Sequence, residues 1–158
     1  TVLEGVSARV GRGEITALTA PSGAGKSTLL RAFVRLVGID GGTVTLDGVD
    51  VCELDPRALR RRVGLVAQHP AMLPGTVADN LRHGLTAPAV AVARALTRGP
   101  ELLLADEPTA ALDRHAADHL GATLARLRDA GFGICVATHD LDFAHRHADR
   151  VLQLIPRP

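Results

Sequence analysis

Apolar positions along the chain follow two rhythms. Three nearly continuous runs, "VGLVA" (63–67), "ELLLAD" (101–106) and "GICVATH" (133–139), have the length of strands buried on both faces. Between them the spacing is helical. "GKSTLLRAFVRLV" (25–37) puts Leu29, Leu30, Phe33 and Leu36 on one face and stops at Gly38. A longer helix is predicted at roughly 114–129, ending near Gly131. "PRALRRR" (56–62) and "PAVAVARALTRG" (88–99) both start on Pro, which suits a first helical turn. "TVADNLR" (76–82), begun by Thr76, and "LDFAHRHA" (141–148) complete the helices. "VSARVGRGEITALTA" (6–20) predicts two strands joined at Gly11-Arg12-Gly13, "GGTVTLDGVDV" (41–51) a hairpin, and "RVLQLI" (150–155) a last strand. Apolar strands alternating with helices predict an α/β domain: a mainly parallel sheet flanked by helices, with an N-terminal antiparallel β portion.

Composition narrows this little. At 158 residues and 46% hydrophobic content, the chain is expected to be one domain over 1–158 with a real core. That core must be aliphatic, because there are three Phe and no Tyr or Trp. A net charge of +1 argues against a nucleic-acid partner. The basic cluster "RALRRR" (57–62) reads as a solvated helix face. No apolar run reaches the roughly 20 residues that span a bilayer. No signal peptide is visible, and a start at Thr1 without a Met leaves room for an upstream segment. Cys52 and Cys135 form no disulfide or zinc pattern, and Cys135 reads as a buried thiol. All of this suits the cytosol.

The chemistry begins at "APSGAGKST" (20–28), between a predicted strand and a predicted helix. That context suits a phosphate loop, G-x-x-x-x-G-K-[ST]. Gly23 and Gly25 let backbone N–H groups turn inward, and the helix N-terminus adds positive dipole. Ser22, Gly23, Ala24, Gly25, Lys26, Ser27 and Thr28 are the nucleotide-binding candidates. Lys26 would reach the β- and γ-phosphates and Ser27 would hold Mg²⁺. The first position is Ala20 where the pattern has Gly; a positive φ there would cost about 1 kcal/mol.

"LLLADEPTAALD" (102–113) places two adjacent carboxylates at a buried strand's C-terminal end, where open α/β sheets bind ligands. Asp106 suits a Mg²⁺ ligand acting through water, and Glu107 a general base. The histidines fit a metal site poorly: His145 and His147 point to different sides of a helix, while His115 and His119, one turn apart, have no evident third ligand. His69 and His83 have no partner that the pattern names.

Together these motifs resemble the nucleotide-binding domain of ABC transporters. "APSGAGKST" is similar to the family's Walker A and "LLLADEP" to its Walker B with the catalytic glutamate; "TAALD" (109–113) resembles the D-loop, which adds Asp113 to the nucleotide-site candidates. Gln68 in "LVAQHP" matches the Q-loop glutamine, which senses Mg²⁺ and the γ-phosphate. His139 in "VATHD" matches the switch histidine. The resemblance implies ATP and Mg²⁺ as cofactors, and Glu107, His139 and Gln68 as catalytic residues. Ser27, Gln68 and Asp106 would be around the metal. The implied partners are a second ABC ATPase domain, as homo- or heterodimer, and a membrane-spanning transporter subunit. The implied location is cytoplasmic, peripheral on the cytoplasmic face of the cell membrane.

One family element has no counterpart. "MLPGTVADNL" (72–81) resembles the segment after the Q-loop, and "AVAVARAL" (89–96) the helix after the LSGGQ signature. Between them, at about 82–89, the signature and the helical subdomain are expected to be missing. Pro88, near the signature position, has no N–H to donate. In the family, two domains stack head to tail and the signature of one completes the ATP site of the other. A homodimer of this chain is therefore expected to bind Mg-ATP and hydrolyse it slowly. Its alternatives are a module that pairs with a complete ABC subunit, or an inactive truncated fragment; a P-loop kinase is a weaker rival. The family also stacks adenine on an N-terminal aromatic side chain, and this chain has no Tyr or Trp.

Overall fold

Five parallel strands in the order β4-β5-β6-β1-β7 form the central sheet. The computed structural model describes residues 3–68, Leu96 and 99–155. In chain order the elements are β1 (Ile15–Thr19), α1 (Lys26–Phe33), β2 (Thr45–Leu46), β3 (Val49–Asp50), α2 (Pro56–Arg62), β4 (Val63–Val66), β5 (Leu102–Asp106), α3 (Arg114–Asp129), β6 (Gly133–Thr138), α4 (Leu141–His147) and β7 (Arg150–Gln153). The helices expected at 76–82 and 88–99, and His69 and His83, lie outside the described residues, apart from Leu96, which is helical, and Gly99.

The alternation of the strands decides which helix goes where. Leu103, Ala105, Ile134 and Val136 point to one face and pack with Ala117, Leu120 and Leu124 of α3 and Phe143 of α4. Leu104, Cys135, Ala137 and Leu18 point to the other and pack with Leu30 and Val34, from α1 and its cap, and Leu59 of α2. β5 and β6 are buried on both faces, which is why their sequences are apolar without a period. Asp55, Asp113 and Asp140 cap α2, α3 and α4, each accepting a backbone N–H from three residues on.

The antiparallel portion is small: β2 and β3 pair over two residues each around the Asp47-Gly48 turn. Three expectations need correction. The segment 6–10 is not a strand. β6 and β7 occupy both edges of β1, so no ladder position is left for an antiparallel partner; Val6 and Val10 pack against the core instead. The helix expected to reach residue 37 ends at Phe33. Arg35 takes a left-handed φ of 54°, its N–H donates to Ala32 O, and the Leu36 N–H donates to Arg31 O at 2.9 Å. That is a Schellman stop with Arg in the place usually held by Gly. It turns Leu36 outward, to 53% exposure, rather than onto the buried face. The last strand stops at Gln153, with Leu154 adding one further bond to Thr19 O.

The basic helix α2 is solvated at Arg57, Arg60 and Arg61, as expected, but Arg60 and Arg62 also have partners. Arg60 donates to the carbonyls of Val34 and Arg35, closing the end of α1. Arg62 pairs with Glu101 at 2.8 Å and with Asp47, and Arg12 joins the same two carboxylates. This network ties together the turn before β1, the hairpin, the end of α2 and the start of β5.

Candidate active site

All five strands of the sheet run the same way, so the ends of β1, β4, β5 and β6 share one edge. The loop 20–28 leaves β1 there, Asp106 ends β5, Glu107 follows it, His139 follows β6, and Gln68 lies just beyond β4. The sheet thus gathers side chains as far apart in sequence as Lys26 and His139.

The loop turns on two left-handed glycines, Gly23 at φ 81° and Gly25 at φ 91°, a region costly for residues with a Cβ. Gly25 caps α1 without a side-chain bond, leaving the first-turn amides of the helix unclaimed by any cap. Ala20 is not among the positive-φ residues, so the departure from Gly at that position carries no backbone strain. Its carbonyl has a use: it accepts a hydrogen bond from Lys26 Nζ at 2.7 Å.

Lys26 is 5% exposed. Its ammonium also donates to Pro21 O at 3.2 Å and pairs with Glu107 Oε1 at 3.2 Å. Glu107, itself buried, uses its other oxygen for His139: Oε2 lies 2.8 Å from Nδ1 and accepts the backbone N–H of His139. The Glu107 backbone is held as well, its N–H donating to Ala137 O at 2.8 Å. Glu107 has φ 48°, a strained value for a residue with a side chain, of the kind stored at functional sites. His139 is more than half exposed, so its ring bridges the buried carboxylate and solvent.

Asp106 is 4% exposed, and its Oδ1 has no hydrogen-bond partner among the described residues. A buried orphan carboxylate oxygen is costly unless something bound completes it. A hard cation with oxygen ligands fits that need, with the half-buried Ser27 at the start of α1 as a further oxygen donor. Both donors are hard oxygens, with no thiol or imidazole between them, so the pair suits a hard cation and not a soft metal.

Glu107 is therefore in direct contact with both Lys26 and His139, with Asp106 next to it in the chain. Ser22 and Gly23 are exposed; Ala24, Gly25, Ser27 and Thr28 are half-buried. Gln68 is exposed at the end of β4, on the same edge. Asp113 makes its contact within its own helix, capping α3 through the Ala116 N–H at 2.8 Å. His115 and His119 pair with each other at 3.1 Å. His147 packs toward Asp118 and Phe143 while His145 is exposed. Sequence reasoning missed the Lys26–Glu107 pair and the buried Thr138, whose hydroxyl accepts the Asp140 N–H. Only the expected parallel order of the strands hinted at the first.

A family model described as ABC transporter matches residues 3–89, more than half of the chain. The phosphate import ATP-binding protein PstB 2 of Natronomonas pharaonis is 34% identical, with 98% of this chain aligned to 72% of that protein. The chain belongs to the ABC transporter ATP-binding family. Other members are similar over the same span. The lipoprotein-releasing system ATP-binding protein LolD of Anaeromyxobacter dehalogenans is 37% identical over 98% of this chain and 82% of its own length. The rice protein STAR1 is 39% identical over 98% of this chain, which spans 55% of that protein. A solved ATP-binding subunit of an ABC transporter superposes with a TM-score of 0.82 at 26% identity, covering 97% of this chain and 79% of that one. The three sequence alignments run over 191 to 203 positions against a chain of 158 residues, so these family members carry internal residues without a counterpart here.

Proposed function

We propose that this chain is an ATP-binding subunit that couples ATP binding and hydrolysis to solute transport through a membrane-spanning partner. The observation that carries the reading is the convergence of Lys26, Asp106, Glu107 and His139 at one sheet edge beside the open N-terminus of α1. Mg²⁺, when bound, neutralises phosphate charge; Ser27 and Asp106, with Gln68, are the residues that would hold it. The chain's own groups divide the remaining work. Amides of 22–28 and Lys26 bind and orient the phosphates. Glu107 takes the proton of the attacking water, held by His139, whose exposed ring faces where the γ-phosphate would sit. Asp113 follows Glu107 after a short turn, at the N-cap of α3, and would face a second ATPase domain. No described helix is long and apolar enough to cross a membrane; in this proposal the spanning segments belong to the transporter partner.

A second, narrower reading is favoured by the alignments. The family match ends at residue 89, and the relatives carry extra internal residues. Both fit loss of the signature and helical subdomain at about 82–89, and with them the donors that complete a neighbour's ATP site. Each missing donor to transition-state charge costs roughly 10²-fold in comparable sites. The chain alone is then slow, and pairing with a signature-bearing ABC subunit restores turnover at its own Glu107. Phosphate release tests this with the chain alone and mixed with a complete subunit whose catalytic glutamate is replaced by Gln. The expected result is little turnover alone and Glu107-dependent turnover in the mixture. Full-rate, multiple-turnover hydrolysis by the chain alone overturns the narrower reading.

A further inference from the structure

The three N–H donors of the Lys26 ammonium meet three acceptors: Ala20 O at 2.7 Å, Pro21 O at 3.2 Å and Glu107 Oε1 at 3.2 Å. Glu107 is equally committed, with Oε1 on Lys26 and Oε2 on His139. Both partners of the ion pair are less than a tenth exposed, so solvent screens the contact little. In this arrangement the ammonium that should bind phosphate is saturated by the carboxylate that should activate water. We propose that the Lys26–Glu107 pair is a lock on the empty site, and that polyphosphate entry opens it, freeing Lys26 for the phosphates and one oxygen of Glu107 for water in the same event.

The physical reason is competition for one cation. An incoming polyphosphate offers Lys26 more negative charge than a single carboxylate does, and it repels Glu107. The left-handed backbone at Glu107 and its N–H bond to Ala137 fix the main chain, so the change falls on the side chains of Glu107 and Lys26. His139 keeps hold of Oε2, so the carboxylate stays in place while Oε1 is released. A base armed only by bound nucleotide does not meet water productively in an empty site.

This inference rests on the nucleotide reading above, and its test separates the two. The measurement is calorimetric titration of the whole chain with Mg-free ADP, which is not hydrolysed. Glu107→Asp keeps the charge but shortens the side chain by a methylene, beyond reach of Nζ. Glu107→Gln removes the charge and keeps the shape. If the lock operates, both variants bind ADP more tightly than the wild type, by roughly tenfold, the scale of a hydrogen bond between charged groups. In a Lys26→Met background both gains vanish. Tighter binding by Glu107→Gln alone, persisting in Lys26→Met, means simple charge repulsion and overturns the lock. Unchanged affinity in both variants overturns it as well. A wild-type chain that binds no ADP sinks the nucleotide reading itself.

Discussion

The carboxylate of Glu107 and the imidazole of His139 meet at 2.8 Å, although 31 residues lie between them in sequence. The contact exists because β5 and β6 are neighbours in register, Asp106 beside Ala137. It aims Glu107 and leaves its other oxygen toward the phosphate loop. His139→Ala is expected to lower hydrolysis roughly 10²-fold, the usual worth of an oriented acid–base partner, while ADP affinity changes little. Phosphate release in the presence of a signature-bearing subunit, alongside ADP titration, measures both. Equal losses in the two would mean that His139 serves binding and not the orientation of Glu107.

Gly121 sits where α3 passes over α4, and a Cβ there would enter the van der Waals envelope of the His147 ring. The ring cannot swing away freely, being packed at a tilt against Phe143 and set against Asp118. Gly→Ala in a helix interior normally stabilises; here Gly121→Ala is expected to cost about 1–3 kcal/mol by overpacking. His147→Ala in the same chain should recover part of that loss. Urea unfolding of the two variants decides it, and a stabilised Gly121→Ala would refute the contact.

Glu101 titrates well below its ordinary 4.5, at about 2, because the Arg62 guanidinium hydrogen-bonds its carboxylate, with Arg12 adding to the effect and partial burial opposing it. A depressed value in the folded state gives stability that is full above the unfolded value and is lost as pH falls through the folded one. The window therefore runs from about pH 4.5 down to about pH 2. Thermal midpoints of the wild type should exceed those of Glu101→Gln above this window, and the gap should close on acidification. Both partners are about a third exposed, so added salt should narrow the gap too.

The two thiols should differ sharply. Cys52 is exposed, while burial pushes Cys135, in the middle of β6, up to about 12. At mildly alkaline pH, alkylation followed by mass spectrometry should label Cys52 rapidly and Cys135 only after denaturation. Rapid labelling of both in the native protein would mean that β6 is not the covered central strand described here.

Much of this fold was legible because local signals agreed. The apolar runs at 102–106 and 133–138 had the length and composition of strands covered on both faces, and the helical spacing at 114–129 matched α3. The site was legible for a different reason: the phosphate loop and Asp106-Glu107 carry their chemistry within short stretches. What sequence could not supply was long-range or conformational. The stop of α1 at Arg35 was hidden because an arginine, anchored by the carbonyls of Val51 and Leu54, took the left-handed position a glycine usually marks. The Arg12–Asp47–Arg62–Glu101 network joins positions up to 89 residues apart, with no periodicity to betray it. The strain at Glu107 and its bond to Lys26 depend on the register of two strands with the phosphate loop.

The most direct measurement is the thermal unfolding midpoint with and without Mg-ATP, in the wild type and in Lys26→Ala. A ligand that binds only the native state stabilises it by about 2.7 kcal/mol at a hundred times its dissociation constant. For a domain of this size that corresponds to a rise of roughly 5–10 °C. The wild type should show such a rise and Lys26→Ala should lose most of it. No rise in the wild type, or an equal rise in both, would contradict a nucleotide site built on the loop 20–28 and Lys26.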